Sequence, residues 1–243
     1  MIQRAQDHPS TSSGLGPSTS SGLGPSTSPS SKGAEPSRPG YLIGLTGNIA
    51  TGKSTVGAML TELGATVIDA DHVTHQVLRD DRSVVTQIAA RFGADIVNSE
   101  GSVNRQRLAD IVFNDPAALE QLEAIVHPAV AARVNQRVSA AETPVVVIEA
   151  IKLIEAGWHR SCQALWVTTC RPEQQIERLI KGRSLSYQEA KMRVTAQPPQ
   201  AAKIRLADVV IDTSGEKTET LNRVRAAWQS IHVRRNYGQV RNI

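Results

Sequence analysis

Cysteine is scarce: only Cys162 and Cys170 occur in 243 residues. Their spacing makes neither a metal-ligand pattern nor a disulfide framework, so a zinc fold and a disulfide-stapled scaffold are excluded and a reducing cytoplasm fits. No apolar run approaches the roughly 18 residues that a membrane span requires, and the N-terminus lacks the apolar core of a signal peptide. Neither a span nor export is expected. Strong charge is missing too, with a formal net charge of +4 and a pI near 9.3. That balance suits an anionic small substrate but does not by itself indicate nucleic acid, and an ordinary mildly basic enzyme surface explains it equally.

Residues 1 to about 40 have almost no apolar side chains. Pro9-Ser10-Thr11-Ser12-Ser13-Gly14-Leu15-Gly16 repeats at Pro17 to Gly24, and a third copy starts at Pro25. Such a segment cannot offset its conformational entropy by burial, and an eight-residue period is too short for a solenoid with its own core. A disordered, dispensable extension is expected, with a partner-binding tail as the alternative. The whole chain is 40% hydrophobic, enough to bury a core in one domain or two small ones.

What is present is the stretch Gly47-Asn48-Ile49-Ala50-Thr51-Gly52-Lys53-Ser54, which fits G-x-x-x-x-G-K-[ST]. An apolar run, Tyr41 to Leu45, precedes it and a helix-like run, Thr55 to Leu63, follows. Strand, loop and helix in that order aim backbone N–H groups and the positive helix end at phosphate oxygens. Gly47 through Thr55 are the expected nucleotide cradle. Lys53 would reach the β- and γ-phosphates and Ser54 would ligate Mg²⁺.

A second strand, Ala65 to Ile68, ends in Asp69-Ala70-Asp71, where open α/β sheets place their ligands. If the strand persists, the two acids share a face, one serving the metal and one the nucleophile. A helix N-cap and a solvated loop acid are the alternatives. His72 and His75 stand at i, i+3, but no third ligand accompanies them and a metal site there is not expected. From Ser83 to Ala141 the pattern is helical, with breaks at Phe92-Gly93, Asn98 to Gly101 and His127-Pro128. That exceeds a crossover, so it is expected to build the second substrate's pocket, with scaffolding as the alternative.

Pro144 to Glu149 is an unalternating apolar run, a buried parallel strand with Glu149 at its end as a water-mediated Mg²⁺ contact or a structural acid. Ala164 to Thr168 and Val209 to Thr213 are the remaining strands, giving a doubly wound five-stranded parallel sheet of the α/β class. Between them lies a basic helical pair with Arg178, Lys181, Arg183, Lys191, Arg193, Lys203 and Arg205. Beside a P-loop this is expected to be a lid whose guanidiniums close over phosphates, hinged at Gly182-Arg183-Ser184-Leu185; a solvated charged face is the alternative. Ser186-Tyr187-Gln188-Glu189 is a capping box. Arg234 to Ile243 reads as a polar, basic tail.

These motifs, taken together, resemble the dephospho-coenzyme A kinase family over about Leu42 to Gly215. The resemblance lies in Gly44 to Gly47 with Lys53-Ser54-Thr55, in Val67-Ile68-Asp69-Ala70-Asp71, and in Phe92-Gly93, Gly101, Asn104-Arg105, Leu108, Val112-Phe113 and His127-Pro128. It continues in Gln175 to Arg178, Gln197, Ala207-Asp208 and Val210-Ile211-Asp212. It implies transfer of the ATP γ-phosphate to the ribose 3′-hydroxyl of dephospho-CoA by a cytoplasmic monomer using Mg²⁺, with no nucleic-acid or membrane partner. Asp71 is the implied base, with Lys53 and Arg178 as the other catalytic groups. Asp71, Arg105 and His127 are implied at the substrate, and Ser54 and Asp69 at the metal.

The implied organisation is an extension over 1–40, a P-loop kinase domain over 41–235 and a tail over 236–243. Within the kinase domain a helical CoA-binding insertion covers about 76–141 and a lid about 172–200. The chain departs from the family pattern at several points. Asn48 and Ala50 replace glycines, and Ala50 is expected in an ordinary backbone region. Ile151-Lys152 stand in a Pro-Leu-Leu-x-Glu segment, Gly182 where a second lid arginine is usual, and Thr213 where asparagine is usual. Arg183 or Lys181 is the candidate replacement for that arginine. Another P-loop small-molecule kinase, of nucleoside monophosphate or shikimate type, and an inactive CoA-binding module are the alternatives. A GTPase switch lacks its guanine signature, although Asp212 to Gly215 match D-x-x-G.

Overall fold

The computed structural model describes residues 40–113 and 115–238, with the backbone alone for 232–238. The repeats read in residues 1–39 and the tail beyond 238 lie outside them. The strands are β1 (Tyr41–Thr46), β2 (Thr66–Asp69), β3 (Val145–Glu149), β4 (Ala164–Thr169) and β5 (Val209–Asp212). They pair in parallel in the order β2-β3-β1-β4-β5, with Ile43 opposite Val147 on one side and Ala164 on the other. The unalternating apolar runs are explained by burial on both faces. All five residues of β3 are buried, Val145 and Val147 packing into one core and Val146 and Ile148 into the other.

The helices follow from local signals. α1 (Lys53–Glu62) leaves the P-loop, and α2 (Ala70–Asp80), α3 (Arg82–Phe92), α4 (Arg105–Val112) and α5 (Pro116–Ser139) fill the chain between β2 and β3. Asp81, Asn104 and Asp115 each accept first-turn N–H groups, at α3, α4 and α5. Then come α6 (Pro172–Arg183), α7 (Tyr187–Thr195), α8 (Gln200–Ile204) and α9 (Lys217–Gly238). The capping box at Ser186 forms as the sequence indicates. α1 and α9 share one core through Val56, Leu60, Val224 and Trp228, while α2, α3 and α5 cover the other face.

One predicted break does not occur, because α5 runs unbroken through His127-Pro128. Proline keeps a helical φ and removes only one N–H, at the expense of the Ala124 carbonyl. The face carrying Val126, Val130 and Val134 is buried and α5 packs along α2, which holds the turn helical. α7 is held far less. A fully buried aliphatic or aromatic side chain contributes about 1.5–3 kcal/mol, yet α7 buries only Ala190 and leaves Tyr187 59% and Met192 58% exposed. That makes α7 an element able to move at low cost.

β1 is flanked by β3 on one side and β4 on the other, so the strand order reverses around it. Crevices for ligands open at such switch points, outside the carboxyl ends of the strands.

Candidate active site

The loop after β1 is shaped by close approaches. A Cβ on Gly47 would lie 2.3 Å from Thr168 Oγ1, and Gly52 sits at φ 84 immediately before α1. Thr51 Oγ1 bonds the Asn48 carbonyl at 2.8 Å and Thr168 Oγ1 at 2.7 Å. From outside, Asn48 Nδ2 donates to Pro198 O at 2.9 Å and Ile49 N to Gln197 Oε1 at 2.6 Å. Lys53 Nζ turns back to the Gly47 and Asn48 carbonyls at 3.2 and 3.4 Å.

Ala50 does not occupy an ordinary backbone region. Its φ is 58, in the left-handed region. Curling the loop requires this turn, at roughly 1–2 kcal/mol for a residue with a Cβ. Arg178 Nη1 donates to the Ala50 carbonyl at 3.2 Å, and a charged hydrogen bond of this kind contributes about 1.5–3 kcal/mol, enough to offset the strain. Ala50→Gly is therefore expected to raise the melting temperature by about 2–4 °C, the effect of about 1 kcal/mol in a chain of this size. A thermal melt checks it; an unchanged or lower midpoint means that position 50 carries no strain.

The two acids after β2 do not share a strand face. β2 stops at Asp69, whose Oδ1 caps α2 by accepting His72 N at 2.9 Å, and Asp71 lies in the first helical turn. An acid that can bond the free N–H groups of the next helix gains more there than by extending the strand. Asp71 Oδ2 instead accepts Ile151 N at 3.4 Å. Glu149, 5% exposed, accepts Ser54 Oγ at 3.0 Å.

Burial pushes the Asp71 and Glu149 carboxyls above their ordinary range, and it pulls Lys53 below its own, against the charges of Glu149, Asp71 and Asp69. Lys53 thus lies among three acidic side chains, a cluster whose excess of acid a bound cation would balance.

Two cavities open here. The first, about 660 Å³, is lined by Ile49, Ala50, Gly52, Lys53, Ser54 and Thr55 on the cradle side and by Arg178 and Thr213 opposite. The second, about 520 Å³, has Asp71, His75, Arg105, Glu123, His127 and Lys152 in its wall. Ile151 and Arg183 line both. Arg105 Nη2 and His75 Nε2 lie 2.8 Å apart, and Lys152 pairs with Glu123 at 2.7 Å. Of the expected residues, Gly47, Asn48 and Thr51 shape the cradle without lining either cavity, and Asp69 serves as a cap.

The departures from pattern acquire functions. Thr213, 4% exposed, stitches the site: its Oγ1 reaches the Thr51 carbonyl at 2.9 Å, and Arg178 donates to Thr213 O at 2.6 Å and Oγ1 at 3.0 Å. Lys181 is spent on Glu177 at an exposed surface, whereas Arg183 faces both cavities. Sequence reasoning missed Thr168, His75 and Glu123 as parts of the site, and it placed Lys203 on the basic lid. Lys203 is not on a solvated basic face at all, being 5% exposed. Only its neighbours in space distinguish it from the six other basic residues of the segment.

A phosphate cradle at the switch point of a five-stranded parallel sheet, sharing a wall with a second pocket that contains a carboxylate, defines a P-loop small-molecule kinase. Residues 41–219 match the family model described as dephospho-CoA kinase, and the chain belongs to that family. It is thus an enzyme, a phosphotransferase acting on an alcohol group. It is 44% identical to a dephospho-CoA kinase of Symbiobacterium thermophilum over 78% of this chain and 80% of that one. It is 40% identical to one of Moorella thermoacetica, over 79% and 92%. Among solved structures, the dephospho-CoA kinase of Campylobacter jejuni superposes with a TM-score of 0.58 at 26% identity, over 78% of this chain and 96% of that one.

Proposed function

We propose that the chain transfers the γ-phosphoryl group of ATP to the ribose 3′-hydroxyl of dephospho-CoA, yielding ADP and coenzyme A. The observation that carries this is the pair of cavities meeting at Ile151 and Arg183, one over the cradle and one beside Asp71. The 3′-oxygen bonds to the γ-phosphorus as the bond to the bridging oxygen breaks. Its proton passes to Asp71, whose raised affinity for protons suits an acceptor.

Lys53 and the loop N–H groups neutralise charge on the phosphates, and Arg178, already held by Ala50 and Thr213, and Arg183 face them from α6. Arg183, whose side chain has no hydrogen-bond or ion-pair partner among the described residues, takes the place of the arginine that is missing at position 182. Arg105 and His127 hold the acceptor's anionic groups, and Lys152, paired with Glu123, stands in the same wall. α2 to α5, and in particular about 76–141, form the acceptor domain, and about 172–200 the lid.

No cluster of three His, Cys, Asp or Glu able to hold a metal occurs among the described residues. Mg²⁺ takes one or two protein oxygens plus phosphates and water. The Ser54 hydroxyl and the Asp69 carboxylate, with Glu149 behind Ser54, are oxygen donors that fit it. When bound, it supplies charge stabilisation on the β- and γ-oxygens. Chelation is expected to reduce turnover at least about 100-fold, with recovery on adding Mg²⁺; activity persisting in excess chelator would remove the metal.

In this reading the chain works as a monomer in the cytoplasm, without nucleic acid. Among the described residues no helix is long and apolar enough to cross a membrane. Purified protein supplied with ATP and a panel of acceptors tests the function. ADP release with dephospho-CoA, and none with shikimate or nucleoside monophosphates, is expected. Release with one of the latter alone contradicts the proposal, as does binding of dephospho-CoA without turnover.

A further inference from the structure

Lys203 is a buried cation that the reaction as described does not use. It lies on α8, is 5% exposed, and lines neither cavity. Nζ donates to the Ile151 carbonyl at 2.5 Å and pairs with Glu155 at 3.3 Å. Thr46 Oγ1, at the end of β1, donates to the same carbonyl at 3.1 Å. On the other side of that residue, Ile151 N is the group that Asp71 Oδ2 accepts.

Stability alone is a poor reason for this arrangement. Desolvating an ammonium costs several kcal/mol, and an apolar side chain of the same length often packs at equal or better stability. Glu155 returns little, because its side chain remains 45% exposed and solvated. What the arrangement does secure is the position of one residue, gripped at its carbonyl by two donors from different elements. That residue forms the common wall of the two cavities and hands its N–H to the carboxylate beside the acceptor.

We infer that Lys203 is a positioning residue for phosphoryl transfer, acting through residue 151: it fixes the Ile151 backbone, and thereby the Asp71 carboxylate, against the nucleotide cavity. The inference rests on Asp71 being the proton acceptor. A carboxylate displaced by about 1 Å loses on the order of 100-fold in rate, so the effect falls on turnover rather than on binding.

A double-mutant cycle separates this from a purely structural role. Lys203→Met is expected to lower kcat about 10- to 100-fold while both KM values stay within about threefold. In an Asp71→Asn background the same substitution should change the residual kcat less than about twofold, because the group it positions is gone. Thr46→Val, removing the other donor on the same carbonyl, should show a smaller loss that also vanishes in that background, and it serves if Lys203→Met fails to fold. Wild-type kcat in both variants would overturn the inference, and so would losses that multiply undiminished with that of Asp71→Asn. Full turnover by Asp71→Asn alone would instead remove the assignment of the base, a result recognisable before either second substitution is made.

Discussion

Asp71→Asn is expected to lower kcat by about 10²–10⁴-fold and to leave the KM for ATP within about threefold. Asparagine matches aspartate in size and can still accept Ile151 N through its side-chain oxygen, so the wall between the cavities is preserved. What disappears is a basic oxygen beside the acceptor hydroxyl. Since Asp71 lies in the second cavity and not in the first, the substitution removes an interaction made as the 3′-oxygen loses its proton, not one that binds the nucleotide. Steady-state kinetics with each substrate varied in turn measures the split. A rise in KM for ATP with kcat unchanged would place Asp71 in nucleotide binding and leave the proton without an acceptor.

Lys53→Ala is expected to lower kcat/KM for ATP by about 10²–10³-fold or more, the scale of losing one preorganised charge at a developing anion. The local arithmetic makes it severe. Lys53 stands among Glu149, Asp71 and Asp69, and its deletion leaves three acids with no ammonium between them, facing incoming phosphates. Nucleotide affinity and turnover should both fall, whereas dephospho-CoA binding, measured by calorimetry without nucleotide, should change little. An effect on turnover alone would mean that the backbone N–H groups suffice to hold ATP.

Much of the fold was legible because its signals are local. The cradle has fixed spacing, the buried strands carry unalternating apolar runs, and caps such as Asp115 and Ser186 stand where helices start. The departures come from competition that spacing does not reveal. Asp69 both ends β2 and caps α2, so the chain turns helical at once and Asp71 falls in the first helical turn instead of on the strand face. Proline breaks isolated helices, yet the buried face of α5 holds Pro128 in line. Ala50 is driven to positive φ by a loop anchored from Thr213 through Arg178, residues more than a hundred positions away.

The site follows the same division. Lys53, Ser54 and Asp71 lie in motifs, whereas Lys203 looks like one more basic residue of a lid until α8 places it under Ile151. Arg183 lies between these extremes. One position beyond the expected arginine, it is distinguished from Lys181 only by which of them meets an acid on the outer surface.

The most direct test of the two-cavity arrangement is a crystal structure with a non-hydrolysable ATP analogue, Mg²⁺ and dephospho-CoA together. The predicted result is a ribose 3′-oxygen about 3–3.5 Å from the γ-phosphorus, within hydrogen-bond reach of Asp71, with Ile151 and Arg183 touching both ligands. An acceptor ribose bound away from the cavity beside Asp71, or a γ-phosphate pointing away from the Ile151 wall, would contradict it.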